Sequence, residues 1–186
     1  MNAAIDPARS VLVLVDYQER LMPAIHGGPE ALARAVRLAE AARALGVRVV
    51  GTEENPAGIG RNLADIRDRC VTTLEKMHFD ACADGLPGSL GAPGREPPAD
   101  VVIAGCESHV CLLQTALGLL RAGLRVWVVA NACGSRSPRD HDLAMDRLRG
   151  AGATIVSDEM VLFEWLRTSE HPRFREILAL VKEAPG

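Results

Sequence analysis

The stretch SVLVLVD at positions 10–16 limits the folds open to this chain more than any other feature. Five consecutive apolar residues, three of them valine, read as a strand covered on both faces, because a strand with one wet face would alternate polar and apolar side chains. Strands of that kind belong to parallel sheets, and parallel neighbours are joined by crossovers that usually carry a helix. The rest of the chain should therefore alternate short valine-rich runs with amphipathic stretches, and it does. Strands are expected at 10–16, 47–53, 72–76, 100–105, 124–130 and 153–156, and helices at 29–46, 109–122, 138–150, 158–167 and 172–182. Pro29 near the start and Gly46 at the stop punctuate the first helix. Residues 54–71 and 77–98 read mainly as connections, the second dense in Gly and Pro with room for one short helix. The order predicts an α/β fold: a three-layer α/β/α, Rossmann-like arrangement with a mainly parallel, doubly wound six-stranded sheet. With 186 residues and no internal repeat or linker, a single domain over 1–186 is expected.

Charge narrows the partners. The formal net charge of −3, with Lys and Arg scattered, gives no electrostatic reason to bind nucleic acid or an anionic membrane. The opening MNAAIDPARS lacks the basic-then-apolar order of a signal peptide, and no apolar run approaches the roughly 18 residues of a membrane span. A cytoplasmic protein with a small-molecule substrate is expected. Five cysteines at irregular spacing point to reduced thiols rather than a disulfide framework, and without CxxC or HExxH no metal site is expected.

Right-handed crossovers bring the carboxyl ends of parallel strands to one edge, where ligands bind. Three reactive side chains fall there: Asp16 after the first strand, Lys76 closing the third, and Cys111 at the start of the helix after the fourth. Singly, each has a structural explanation, as a turn cap, a solvated lysine and a small buried hydrophobe. Together they make a chemical set. A thiol must ionise to attack a carbonyl, Asp16 can accept its proton, a helix start favours the thiolate, and Lys76 can hold the carboxylate ionised.

The blocks VLVLVDYQERLMPAI, LEKMHF and IAGCESHVCLLQTALGLLRAGLRVWVVANAC resemble, in order and separation, the three catalytic blocks of the isochorismatase-like cysteine hydrolase superfamily. The resemblance continues through GSRSPRDHDLAMDRLRGAGATIVSDE and HPRFREILALVK, and is strongest to the isochorismatase-domain-containing branch of undefined substrate. It implies the isochorismatase-like hydrolase fold and an Asp16, Lys76, Cys111 triad. It also implies an oxyanion hole from the backbone N–H groups of Glu107 and Cys111, and a cis peptide between Cys106 and Glu107. Gln18 and Phe79 are candidate substrate-pocket residues, and so is His109, which sits two residues before Cys111 and either points into the pocket or covers the helix start. The implied activity is hydrolysis of a C–N bond in a small amide or related acyl compound through a thioester, without a cofactor, in a homo-oligomer. Nicotinamidase-like members carry an Asp-x-His-x-x-x-His metal motif where this chain has GTEENPAGIGRNLAD, and members acting on isochorismate itself lack the nucleophilic cysteine. The alternative is a non-catalytic or redox-sensing thiol protein on the same fold, the latter working through Cys106 and Cys111.

Other motifs have local explanations. GIGRNL at 58–63 follows the second strand rather than the first and lacks the third glycine of a dinucleotide loop. In SRSPRD, Ser137 is the expected N-cap, Pro138 the first helical residue and Asp140 the first-turn acid, leaving Arg136 as an exposed charge. Asp80, after Phe79, is expected to place a carboxylate near the pocket rim.

Overall fold

The computed structural model describes residues 4–92, 94 and 96–182. Six strands form one sheet: β1 (Ser10–Val15), β2 (Arg48–Glu54), β3 (Thr72–Lys76), β4 (Asp100–Gly105), β5 (Arg125–Val129) and β6 (Thr154–Val156). Their spatial order is β3-β2-β1-β4-β5-β6, and every pairing is parallel. All six residues of β1 and of β4 are buried, as continuous apolar strands at the centre of a doubly covered sheet must be. Each large apolar side chain removed from water there contributes about 1.5–3 kcal/mol.

The helices are α1 (Gly28–Ala44), α2 (Pro56–Ile59), α3 (Ala64–Arg67), α4 (Leu86–Leu90), α5 (Leu113–Arg121), α6 (Pro138–Gly150), α7 (Asp158–Leu166) and α8 (Phe174–Lys182). They cover both sides of the sheet. From β1 the chain moves outward through β2 to β3, then returns to β4 and moves the other way to β6. Right-handed crossovers in opposite directions place their helices on opposite faces. α5 packs with α6, while α1 packs with α7 and α8. Arg37 of α1, buried, pairs with the buried Asp158 at the start of α7 and fixes that second contact. Among the described residues no helix is long and apolar enough to cross a membrane.

The connection 54–71 contains two four-residue helices, α2 and α3, too short to leave a periodic pattern. The connection 77–98 carries the one short helix expected of it, α4; its positions 93 and 95 lie outside the described residues. The helix expected at 109–122 begins instead as a wide π turn over Ser108–Leu112 and becomes α-helical at Leu113.

Candidate active site

The direction of travel along the sheet reverses between β1 and β4, and at such a point the loops leaving adjacent strands diverge and open a crevice. Asp16 leaves β1 there in a left-handed conformation, φ +55°, which aspartate tolerates better than most residues. Its N–H donates to the Thr52 carbonyl (3.2 Å), and its Oδ1 accepts from the Thr52 hydroxyl (2.6 Å). The carboxylate is thereby aimed rather than free to rotate.

Lys76 stands two strands away, on β3 beyond β2, a lateral distance of roughly 10 Å between backbones. Only a long side chain spans that gap. Its Nζ lies 2.8 Å from Asp16 Oδ2 and 2.8 Å from Glu54 Oε2, with Lys76 and Asp16 wholly buried. Burial pulls the lysine pKa down, but the Asp16 carboxylate, the neighbouring thiol and the hydrogen bonds to Asp16 and Glu54 outweigh it, leaving Lys76 above the ordinary range. It is an ammonium.

Cys111 comes from the far side of the crevice. Its Sγ and single carboxylate oxygens of Asp16 and Glu54 all lie within 4.8 Å of one another. Burial, then the charge of Asp16, push the thiol well above its ordinary pKa, only partly opposed by Lys76. The resting thiolate expected from a helix start is thus not what these surroundings favour: two carboxylates and desolvation outweigh a partial charge. Asp16, Glu54 and Cys111 also have the donor types of a metal site, but the cation between the two carboxylates is the Lys76 ammonium.

The turn that presents Cys111 is tied down from several sides. The Cys106–Glu107 peptide is cis. Cys106 N–H donates to the Val15 carbonyl (2.9 Å) and Ser108 N–H to the Gly134 carbonyl (2.8 Å). A Cβ on Gly105 would sit 2.3 Å from the Val15 carbonyl oxygen, so only glycine allows the turn this close to β1. In the π turn the Glu107 carbonyl accepts from Val110 (3.0 Å) and Leu112 (3.2 Å), which leaves the Cys111 N–H out of the pairing it would make in an α-helix. Glu107 is anchored in turn, its Oε1 accepting from Arg136 Nε (2.9 Å) and Arg136 N–H (3.2 Å). Arg136 is exposed, as read from sequence, but it is engaged. Ser108 Oγ lies 3.0 Å from His141 Nδ1, and burial lowers the pKa of that imidazole.

The remaining candidates differ in placement. Gln18 is buried, with its amide spent on backbone: Nε2 donates to the carbonyls of Glu54 (2.9 Å) and Gly60 (2.6 Å), and Oε1 accepts from Glu54 N–H (2.9 Å). His109, half-buried, faces Ser135, Nδ1 to Oγ 3.0 Å. Phe79 is half-exposed on the loop after β3, where its carbonyl accepts from Thr115 Oγ1 (3.2 Å). Asp80 corrects the sequence reading: its Oδ2 pairs with Arg121 at 2.7 Å and its Oδ1 caps Cys82 N–H at 2.9 Å. It braces the loop against the end of α5. Ser137 holds the N-cap position of α6 without a side-chain hydrogen bond. Sequence reading missed Glu54 by ending the second strand one residue early; as the last residue of β2 it falls under the same strand-end logic as Asp16 and Lys76.

A six-stranded all-parallel sheet covered on both sides, with its order reversing at β1 and β4, defines the doubly wound α/β class. The isochorismatase domain model matches residues 10–160, and the chain belongs to that family. Isochorismatase domain-containing protein 2A of Mus musculus is 35% identical over 177 residues, covering 95% of this chain and 84% of that protein. The structure described as a MAR1 ribonuclease from Caenorhabditis elegans superposes with a TM-score of 0.91 at 32% identity, covering 99% of this chain and 95% of that one. An octameric hydrolase of unknown specificity from Escherichia coli shares the fold, with a TM-score of 0.82 at 18% identity and 98% coverage of each chain.

Proposed function

We propose that this chain is a cysteine hydrolase that cleaves the C–N bond of a small amide or related acyl compound through a thioester on Cys111. The single observation that carries the reading is the buried cluster in which an Asp16 oxygen and the Cys111 sulfur lie within 4.8 Å, with Lys76 Nζ 2.8 Å from Asp16. Asp16 takes the thiol proton as the sulfur attacks the carbonyl carbon, and Lys76 keeps Asp16 ionised beforehand and oriented throughout. The N–H groups of Glu107 and Cys111 receive the developing oxyanion. Collapse breaks the C–N bond, and the proton on Asp16 goes to the departing amine. Asp16, a carboxylate again, then deprotonates the water that attacks the thioester, which releases the acid and returns the proton to sulfur.

No cofactor enters this cycle. Its working form is a homo-oligomer, a reading supported by the octamer of the E. coli neighbour; light scattering on the purified protein tests it. The deciding experiment is a hydrolysis screen of small amides with wild type beside Cys111→Ala, followed by intact-protein mass spectrometry during turnover. An acyl adduct mapped to Cys111, with turnover lost in Cys111→Ala and largely kept in Cys70→Ala and Cys82→Ala, is the expected result. Undiminished turnover by Cys111→Ala would sink the mechanism.

The C. elegans relative's name raises a second reading, ribonuclease. A net charge of −3 and a site with two carboxylates give a polyanion little electrostatic reason to approach. Labelled RNA belongs in the same screen, and cleavage lost in Cys111→Ala would replace the amide reading.

A further inference from the structure

Glu54 is the charged member of the cluster that solvent reaches. Its side chain is 13% exposed, while those of Asp16 and Lys76 are 0% exposed. Cys111, the atom a substrate must meet, is itself 6% exposed. One ammonium faces two carboxylates, so the charged set carries one net negative charge, and its outward part is the Glu54 carboxylate. Glu54 is also fixed in place: its backbone N–H and carbonyl are both held at 2.9 Å by the Gln18 amide, and its Oε2 by Lys76 at 2.8 Å. A carboxylate has about four lone-pair sites, so one bond to lysine leaves it able to accept from a substrate N–H.

We propose that Glu54 is a specificity residue that admits neutral or cationic acyl compounds to Cys111 and turns away those with an anionic group beside the reacting carbon. The inference rests on the hydrolase reading of the same site and narrows its substrate class. An anionic group arriving within about 5 Å of Glu54 in a partly desolvated crevice, where the one Lys76 ammonium offsets only one of two carboxylates, meets a net repulsion that a neutral analogue does not.

Two small alkylating probes of similar shape test this without a known substrate: iodoacetamide, neutral, and iodoacetate, anionic. With either, the Cys111 sulfur forms a bond to the methylene carbon, the C–I bond breaks with its electron pair leaving on iodide, and the thiol proton passes to Asp16 and then to solvent. Rates at pH 8 are followed by peptide mass spectrometry at Cys111 and expressed as the amide-to-acid ratio, divided by the same ratio for free N-acetylcysteine. Because both probes draw on one thiol, its pKa cancels. The wild-type ratio is expected to exceed the free-thiol ratio by at least about tenfold, and Glu54→Gln to bring it within about threefold of that reference. A wild-type ratio equal to that of the free thiol overturns the proposal whether or not the variant folds, and so does a ratio unchanged by Glu54→Gln. If neither probe modifies Cys111, the hydrolase reading fails and the charge rule with it.

Discussion

Replacing Lys76 by methionine keeps most of the side chain's volume and removes its charge, so it isolates what the ammonium does for the fold. At an effective dielectric of about 20, unit charges 2.8 Å apart attract by about 6 kcal/mol, and Lys76 has two such partners, Asp16 and Glu54. Desolvation of the ions cancels much of that gross figure, and the net cost of breaking a buried pair is about 3–5 kcal/mol, chiefly because the surviving charge is left unpaired. For a chain of this size the melting temperature should fall by about 6–20 °C at pH 7. The pH dependence carries the sign. The folded state raises the Lys76 pKa, so the lysine's contribution is complete below the ordinary lysine pKa of 10.5 and is lost only as pH climbs through the higher folded value. The gap between wild type and Lys76→Met should therefore stay level from pH 7 into mild alkali. Urea unfolding at pH 7 and 9 measures it. A loss under about 1 kcal/mol at pH 7, the worth of an exposed pair, or a gap that narrows between pH 7 and pH 9, would refute the argument.

Three further outcomes follow from the same geometry. Asp16→Asn should slow turnover by about 10²–10⁴-fold, yet shift the pH profile of Cys111 alkylation downward, because the lost charge is one of those pushing the thiol up; steady-state kinetics and alkylation rates read the two effects separately. Gly105→Ala should cost at least about 2 kcal/mol in a denaturant titration, since its Cβ would lie 2.3 Å from the Val15 carbonyl oxygen, whereas Gly88→Ala meets nothing within 4 Å and should be neutral or slightly stabilising. Chelator treatment should leave hydrolysis unchanged, because the Lys76 ammonium already bridges the two carboxylates; activity lost to chelator and restored by zinc or manganese would count against this reading.

What the sequence disclosed depended on how local the cause was. β1 and β4 were legible because continuous burial writes itself as continuous apolar residues, and the short β3 was placed at 72–76, its observed bounds. The strand-end rule located Asp16 and Lys76, since parallel topology alone brings strand ends to one edge. The π turn was not legible: it depends on the Glu107 carbonyl pairing with Leu112, a choice made by the packing of the turn against Gly134 and Val15. The partner of Asp80, Arg121, lies 41 residues away in sequence, on a helix whose orientation no local pattern specifies. The ionisation of Cys111 was misjudged for a similar reason. A helix start is visible in sequence, whereas the two carboxylates and the burial that outweigh it exist only once β1, β2 and the turn after β4 have been assembled.

That assembly also separates catalysis from redox sensing. Burial pushes Cys70, Cys82 and Cys133 up to about 12, and Cys106 and Cys111 are held high as well, so no described thiol is a resting thiolate. Peroxide reacts with thiolates, and a sensor cysteine is poised by a low pKa and access to solvent. Cys106 has neither: it is fully buried, and its neighbour Cys133 adds to the upward push of burial. Cys111 differs from the rest not in acidity but in having the Asp16 carboxylate beside it, so its proton can leave when a carbonyl arrives to be attacked. Peroxide at millimolar levels should therefore leave Cys106 and Cys111 unbridged, while a bound amide still acylates Cys111. Intact-mass measurement decides it. A loss of two hydrogens mapped to the Cys106–Cys111 peptide, formed faster than alkylation of Cys111 by iodoacetamide, would show that the turn works as a redox pair and that the proton acceptor is not what sets this thiol apart.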